Sequence, residues 1–171
     1  DLMKILIVDD EKSMRFLLEG FLRQCGYTDI LSAPSAHKAY ETLSEISVSP
    51  DVDEVDLILM DVLMPVMDGY EALASLKEVP ETQTIRVLMP SALDLPFQQK
   101  LAYDLGAFGY VVKPVRLDEM NHTVKLALDH RRKSCRKQSR VPAARSPTLE
   151  PTNSSPRPQS KTSLATRQRV L

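Results

Sequence analysis

The sequence of 171 residues has no tryptophan, and it has only five glycines and two cysteines. Cys25 and Cys135 have no metal-site spacing and form no disulfide framework, so we expect a reducing, cytoplasmic environment. No apolar run approaches the roughly 18 residues that a membrane-spanning helix needs. The chain reaches Asp9 and Asp10 too early for a secretory signal peptide. A start at Asp1 rather than Met suggests a piece of a longer protein.

The composition that is present is that of a globular protein, with 43% hydrophobic and 26% charged residues. This length suits one domain with an appendage. The charge is divided sharply along the chain. Residues 1–129 carry 22 Asp and Glu against 11 Lys and Arg, whereas residues 130–171 carry 11 Lys and Arg against Glu150 alone. We therefore predict a domain over residues 1–130 and a separate basic segment over residues 131–171.

The basic segment is rich in proline and serine and, from Ser134 onward, has no aromatic residue. Such a sequence cannot bury enough apolar surface to offset the entropy of ordering it, so we predict a disordered tail or linker. The basic run His130–Arg140, where the domain meets this segment, has two interpretations. It either prolongs the last helix of the domain or attracts a nucleic acid, an acidic partner or an anionic membrane. No helix-turn-helix pattern is present, so sequence-specific DNA binding is not expected.

The first 130 residues alternate between short apolar runs and stretches with helical spacing. Ser35 and Asp118 stand where helices would begin, as N-caps. Apolar runs without alternation indicate strands buried on both faces, which predicts a three-layer α/β domain with five parallel strands and five helices. The five predicted strands are Met3–Val8, Ile30–Ala33, Leu57–Met60, Arg86–Met89 and Tyr110–Val112.

Polar residues follow four of these strands, where an open parallel sheet binds its ligands. Asp9 and Asp10 follow the first, Asp61 the third, Ser91 the fourth and Lys113 the fifth. Clustered carboxylates favour a hard cation such as Mg²⁺, and the whole set suits phosphoryl transfer with an aspartate as nucleophile. The phosphate-binding motifs G-x-x-x-x-G-K-[ST] and G-x-G-x-x-G are absent, so we do not expect this domain to hold a nucleotide as the phosphoryl donor.

Four motifs in register resemble the receiver domain of two-component response regulators. They are VDDE at Val8–Glu11, DVLMPVMDG at Asp61–Gly69, the pair Ser91–Ala92 and GYVVKP at Gly109–Pro114. The resemblance covers roughly residues 3–130 and implies a flavodoxin-like, doubly wound sheet.

The resemblance also implies the role of each site residue. Asp61 would accept a phosphoryl group from a histidine kinase or phosphotransfer protein, with Lys113 paired to that group. Mg²⁺ would bind Asp9, Asp10, Asp61 and the backbone carbonyl of Leu63. The Lys113–Pro114 peptide bond would be cis.

The resemblance further implies a switch rather than an enzyme, with only slow loss of the phosphoryl group to water. Ser91 would swing towards the phosphoryl group and Tyr110 would rotate with it, although Tyr110 at its strand is equally compatible with simple core packing. The fourth helix, fifth strand and fifth helix would form an output face that could dimerise. The output domain or target is not identified.

Two other functions remain possible at this point: a phosphorylation-independent interaction module, and an aspartyl-phosphate phosphatase. Phosphatases of the haloacid-dehalogenase type carry D-x-D after their first strand, and Asp9–Asp10–Glu11 breaks that pattern. By the resemblance to receiver domains, Leu63 and Leu93 would flank the path of an attacking water, at positions where that family often has polar side chains. Because both are apolar, we predict a long-lived phosphoryl-aspartate.

Overall fold

The computed structural model describes residues 3–48 and 54–138, the last nine of them as backbone only. Strands and helices alternate throughout, as the sequence predicts. The strands are β1 (Lys4–Val8), β2 (Asp29–Ala33), β3 (Leu57–Met60), β4 (Arg86–Ser91) and β5 (Gly109–Val112). The helices are α1 (Lys12–Gln24), α2 (Ala36–Ser47), α3 (Gly69–Glu78), α4 (Pro96–Asp104) and α5 (Leu117–Gln138).

The five strands form one parallel sheet in the order β2-β1-β3-β4-β5. This confirms the predicted doubly wound, flavodoxin-like architecture. The direction of winding reverses between β1 and β3, and ligands of such sheets bind beyond the carboxyl ends of the strands at this point. The residues that follow β1 and β3 are therefore neighbours at the place where a site is expected.

The helices cover both faces of the sheet, which explains the continuous apolar strands. Leu18 and Leu22 of α1 pack with α5 against one face, where Ile5 and Ile7 point. Helices α2, α3 and α4 cover the opposite face, into which Leu6 projects. Side chains alternate between the faces of a strand, so both sides of β1 must be apolar to be buried. Each fully buried aliphatic side chain of this kind contributes about 1.5–3 kcal/mol.

The helix starts agree only in part with the sequence prediction. Ser35 is the N-cap of α2, and its hydroxyl accepts a hydrogen bond from the backbone N–H of Lys38 at 3.2 Å. The prediction for Asp118 is wrong: α5 begins at Leu117, one residue before Asp118, so Asp118 lies in the first turn, with its carboxylate 3.3 Å from the guanidinium of Arg116. An acidic side chain is favourable there as well as at the cap, because both positions lie at the positive end of the helix dipole.

The last helix continues beyond the predicted domain boundary at residue 130. Its backbone is helical as far as Gln138, which agrees with the first interpretation of the basic segment. The predicted disordered character of the rest of that segment falls on residues outside the described part of the chain. Among the described helices, none combines the length and the apolarity needed to cross a bilayer.

Candidate functional site

Three carboxylates lie together at the carboxyl end of the sheet. One oxygen each from Asp9, Asp10 and Asp61 lies within 4.8 Å of the other two. Asp9 and Asp61 are only 2% and 5% exposed, whereas Asp10 faces solvent. The structure thus brings together the acidic residues that the sequence predicts for this edge.

Backbone hydrogen bonds fix the positions of the two buried carboxylates. The N–H of Asp61 donates to the carbonyl of Val8 on β1 at 2.8 Å, and the N–H of Asp9 donates to the carbonyl of Ala33 on β2 at 3.2 Å. Each acidic residue is the first after its strand and still bonds to the neighbouring strand. The sheet therefore holds both side chains on a rigid base.

Lys113 supplies the positive charge that faces the acidic cluster. Its Nζ lies 2.8 Å from Oδ1 of Asp61 and 3.2 Å from Oδ2 of Asp9. The backbone N–H of Lys113 donates to the carbonyl of Ser91 at 2.8 Å, which holds the lysine just beyond β5. The peptide bond to Pro114 is cis, as predicted. The lysine side chain is only 16% exposed, so these ion pairs are partly shielded from solvent.

The electrostatics of the cluster are set by burial and by unequal numbers of charges. Burial raises the pKa of Asp61; Lys113 lowers it, and the charges of Asp9 and Asp10 raise it again, so the pKa lies above its usual value. Burial lowers the pKa of Lys113, but Asp61 and Asp9 outweigh this and raise it overall. One lysine does not neutralise three carboxylates, and the residual negative charge favours a bound cation.

The donor set fits Mg²⁺. The three carboxylates offer hard oxygen ligands, the kind that this ion prefers. Leu63 lines the same pocket, which has a volume of about 430 Å³ and is also lined by Lys113 and Ala92. Space and negative charge therefore occur together at this position.

Two interactions that support the acidic pair had no clear sequence signal. Nη1 of Arg15, on α1, donates to the carbonyls of Asp9 at 2.7 Å and of Asp10 at 3.1 Å. The N–H of Glu11 donates to Oδ1 of Asp9 at 2.9 Å. Both interactions fix the chain where it leaves β1. They could not be predicted from the sequence, because an arginine five or six residues downstream is not a known signal for such contacts.

The loop after Asp61 turns tightly to begin α3. The N–H of Met67 donates to the carbonyl of Pro65 at 2.9 Å, and the residue between them, Val66, has a φ of 71°. This conformation strains a β-branched residue and costs about 1–3 kcal/mol. The exposed side chain of Val66 shows that no burial of its own offsets the strain.

The start of α3 lies directly against the backbone of Asp61. A Cβ atom on Gly69 would lie 2.2 Å from the Asp61 carbonyl oxygen, so only glycine fits. Asp68 caps the helix by accepting from the N–H of Glu71, whose side chain accepts from the N–H of Asp68 in return. The D-G-x-E pattern carried this capping-box signal, which the sequence analysis missed.

Ser91 and Tyr110 lie beside the pocket rather than in it. Ser91 is fully buried, and its Oγ accepts a hydrogen bond from the N–H of Leu93 at 3.1 Å. Tyr110 is half-buried, and its hydroxyl donates to the carbonyl of the same Leu93 at 2.8 Å. The backbone of Leu93 thus joins the two residues that the sequence predicts to move together.

Comparison with known proteins identifies the family. A family model described as the response regulator receiver domain matches residues 5–125. The chain belongs to this family, and its place is therefore in two-component signalling. This agrees with the resemblance carried by the four sequence motifs.

The similar curated proteins are considerably longer than this chain. PhoP of Bacillus subtilis, an alkaline phosphatase synthesis transcriptional regulatory protein, is 34% identical over 73% of this chain and 48% of its own length. The transcriptional regulatory protein CpxR of Klebsiella pneumoniae is 33% identical over 86% of this chain and 57% of its own. The regulatory protein AtoC of Escherichia coli is 37% identical over 73% and 25%. This chain thus spans from about a quarter to just over half of these relatives.

Solved structures match the fold over nearly their whole length. The chemotaxis protein CheY4 of Vibrio cholerae is 26% identical, with a TM-score of 0.64, and the match covers 75% of this chain and 100% of that one. A response regulator receiver domain protein of Clostridium thermocellum is 25% identical, with a TM-score of 0.68, over 78% and 99%.

Proposed function

We propose that Asp61 accepts a phosphoryl group from a phosphohistidine on a partner histidine kinase or phosphotransfer protein. The carrying observation is the placement of Asp61 within hydrogen-bonding distance of Lys113 and among two further carboxylates. A carboxylate oxygen of Asp61 attacks phosphorus, the P–N bond to the imidazole breaks as the P–O bond forms, and the released imidazole takes up a proton. Lys113 pairs with the transferred group and offsets its charge.

Asp9, Asp10, Asp61 and the backbone carbonyl of Leu63 would hold Mg²⁺ in this reaction. The ion supplies positive charge that offsets repulsion between the carboxylates and the incoming phosphoryl oxygens. The protein residues keep Asp61 oriented, since its N–H is bonded to β1 and Gly69 packs against its carbonyl. The dependence on Mg²⁺ is thus a property of the charge imbalance at this site.

The chain acts in this proposal as a switch rather than an enzyme. A phosphoryl group adds about −1.5 to −2 charge and three acceptor oxygens. The hydroxyl of Ser91 accepts a hydrogen bond from the N–H of Leu93, and after phosphorylation it donates to one of these oxygens instead. The carbonyl of Leu93 accepts from the hydroxyl of Tyr110. The movement of Ser91 therefore reaches Tyr110 through one residue.

Exposed apolar side chains near the switch support the proposed partners. Leu63, at the mouth of the pocket, and Phe16, on α1, are 53% and 79% exposed and offer apolar contact to the protein that brings the phosphohistidine. Phe97, on α4, is 66% exposed, and a second copy that docks on the predicted α4–β5–α5 face would form the predicted dimer. Sequence-specific DNA binding by this chain is not part of the proposal, and the expected cytoplasmic location stays a prediction.

Metal removal tests the proposal directly. The chain is incubated with acetyl phosphate, with Mg²⁺ or with an excess of chelator, and its intact mass is measured. We expect one phosphoryl group per chain with Mg²⁺, removable by hydroxylamine as an acyl phosphate is, and at least about tenfold slower incorporation with the chelator, or about 1.4 kcal/mol of barrier. If no phosphoryl group is gained under either condition, the chain is instead a phosphorylation-independent interaction module.

The lifetime of the phosphoryl group is expected to be long, because Leu63 presents no polar group to orient an attacking water. Leu63→Asn, alone or with Leu93→Asn, is expected to speed the loss of the group about tenfold, by orienting that water. The decay is followed by intact mass after the donor is removed. Val66→Asn is the matched control, because Val66 lies in the same loop but is not part of the pocket lining described above. Equal decay rates in all variants would exclude this role for Leu63 and Leu93.

A further inference from the structure

Tyr70 links the loop of the acceptor aspartate to α4. It is the second residue of α3 and follows Gly69, whose backbone packs against the carbonyl of Asp61. The Tyr70 side chain is half-buried and packs on the same core cluster as Leu93 and Tyr110. Tyr70 is thus joined through the backbone to the candidate site, and its side chain shares a core cluster with Leu93 and Tyr110.

The hydroxyl of Tyr70 reaches the first turn of the next helix. It donates to the backbone carbonyl of Gln98 at 3.2 Å, across 28 residues of sequence. Gln98 also stabilises the start of α4, because its Oε1 accepts from the N–H of Leu95. Burial, together with the neighbouring Tyr110, raises the pKa of the Tyr70 phenol, so it stays protonated and able to donate.

The start of α4 is thus connected both to Tyr70 and, along the chain, to Leu93. Leu93 lies two residues before Leu95, so a shift of Leu93 acts on the start of α4 from the β4 side. The phenol of Tyr70 holds the same turn from the α3 side. A movement of the first turn of α4 away from α3 would lengthen or break the hydrogen bond between Tyr70 and Gln98.

We propose that Tyr70 is a positioning residue whose hydroxyl latches the first turn of α4 to the start of α3 and so restrains α4 until Ser91 leaves Leu93. The regulatory half of this inference rests on the proposed phosphorylation of Asp61. This latch, the hydrogen bond from Tyr70 to Gln98, restrains α4 only while Ser91 remains bonded to Leu93. Removing the Tyr70 hydroxyl therefore makes the shift of α4 easier and leaves the chemistry of Asp61 intact.

The test compares Tyr70→Phe with the matched variant Tyr40→Phe. Both keep the aromatic ring and remove one hydroxyl that donates to a backbone carbonyl, but the hydroxyl of Tyr40 donates to Ala72 on α3 at 3.1 Å. Amide hydrogen exchange in α4 is measured in the complete chain. We expect exchange about fivefold faster in Tyr70→Phe than in wild type, as suits the loss of one hydrogen bond, and unchanged exchange in Tyr40→Phe.

The second measurement repeats the exchange after treatment with acetyl phosphate and Mg²⁺. Phosphorylation should loosen α4 in the wild type and in Tyr40→Phe, and should add at most about twofold in Tyr70→Phe, whose latch is already open. Equal α4 exchange in the two variants before treatment would overturn the latch itself. An undiminished response of Tyr70→Phe to phosphorylation would overturn its coupling to the switch. If the wild type takes up no phosphoryl group, the proposed function and this coupling both fail, and the first comparison still decides whether the latch exists.

Discussion

Replacement of Asp61 by asparagine is expected to abolish phosphoryl incorporation from acetyl phosphate in the presence of Mg²⁺. Asparagine has nearly the same shape but no anionic oxygen to attack phosphorus. Nζ of Lys113 also lies 3.2 Å from Oδ2 of Asp9, so we expect the pocket to remain assembled in this variant. The measurement is intact mass at several times after addition of the donor.

Asp68→Asn is the matched control for this variant. Asp68 lies in the same loop, where its carboxylate caps α3, and asparagine caps helices about as well. We therefore expect Asp68→Asn to be phosphorylated like the wild type. If Asp61→Asn took up a phosphoryl group at the rate of the wild type, the acceptor would be a residue other than Asp61.

Asp61→Asn is also expected to change the stability of the folded protein, by an amount that depends on pH. The pKa of Asp61 is raised by burial, so the folded state binds its proton more tightly than the unfolded state does. Its contribution to stability is present below the unfolded pKa and is lost as the pH rises through the folded pKa. Asp61→Asn removes this loss, so in metal-free buffer it should unfold at higher denaturant than the wild type at pH 7 and show a smaller difference at pH 3.

Replacement of Lys113 by methionine is expected to destabilise the metal-free protein by about 3 kcal/mol at neutral pH, as for other buried ion pairs that lose one partner. The side chain of Lys113 is 16% exposed and lies between Asp61 and Asp9. Without it, three carboxylates face one another with no ammonium between them. The measurement is the free energy of unfolding from urea titration.

Lys100→Met is the control for this prediction. Lys100 is paired with Asp104 on the exposed surface of α4, and such pairs contribute about 0–1 kcal/mol. Addition of Mg²⁺ should recover more stability in Lys113→Met than in the wild type, because the ion then supplies the missing charge. Adding Asp61→Asn to Lys113→Met should also lessen the loss. Losses of similar size in Lys113→Met and Lys100→Met would mean that the carboxylates do not depend on Lys113.

The general architecture and the composition of the site could be predicted from the sequence. Buried parallel strands are short and apolar on both faces, so β1 and β3 stand out without knowledge of their neighbours. The carboxyl ends of such strands meet at one edge, which is why Asp9, Asp61 and Lys113 could be placed together although up to 104 residues separate them.

The start of α5 and the contacts that support Asp9 could not be predicted from the sequence. The position of Asp118 depends on where the chain enters α5, and both the cap and the first turn accept an aspartate. The support of Asp9 by Arg15 depends on the angle at which α1 leaves the sheet. Sequence periodicity specifies which face of a helix is buried, but it does not specify such angles.

The amino-acid sequence by itself determined the order of strands and helices along the chain, the acidic edge and the residues proposed for phosphoryl chemistry, because these depend on short-range pattern and on the geometry common to parallel sheets. Only the tertiary structure decided that Ser91 bonds to Leu93 and that Tyr70 reaches Gln98. These contacts depend on loop course and on the distance between packed helices. Differences of about an ångström there make or break a hydrogen bond, and the pattern of apolar residues is indifferent to them.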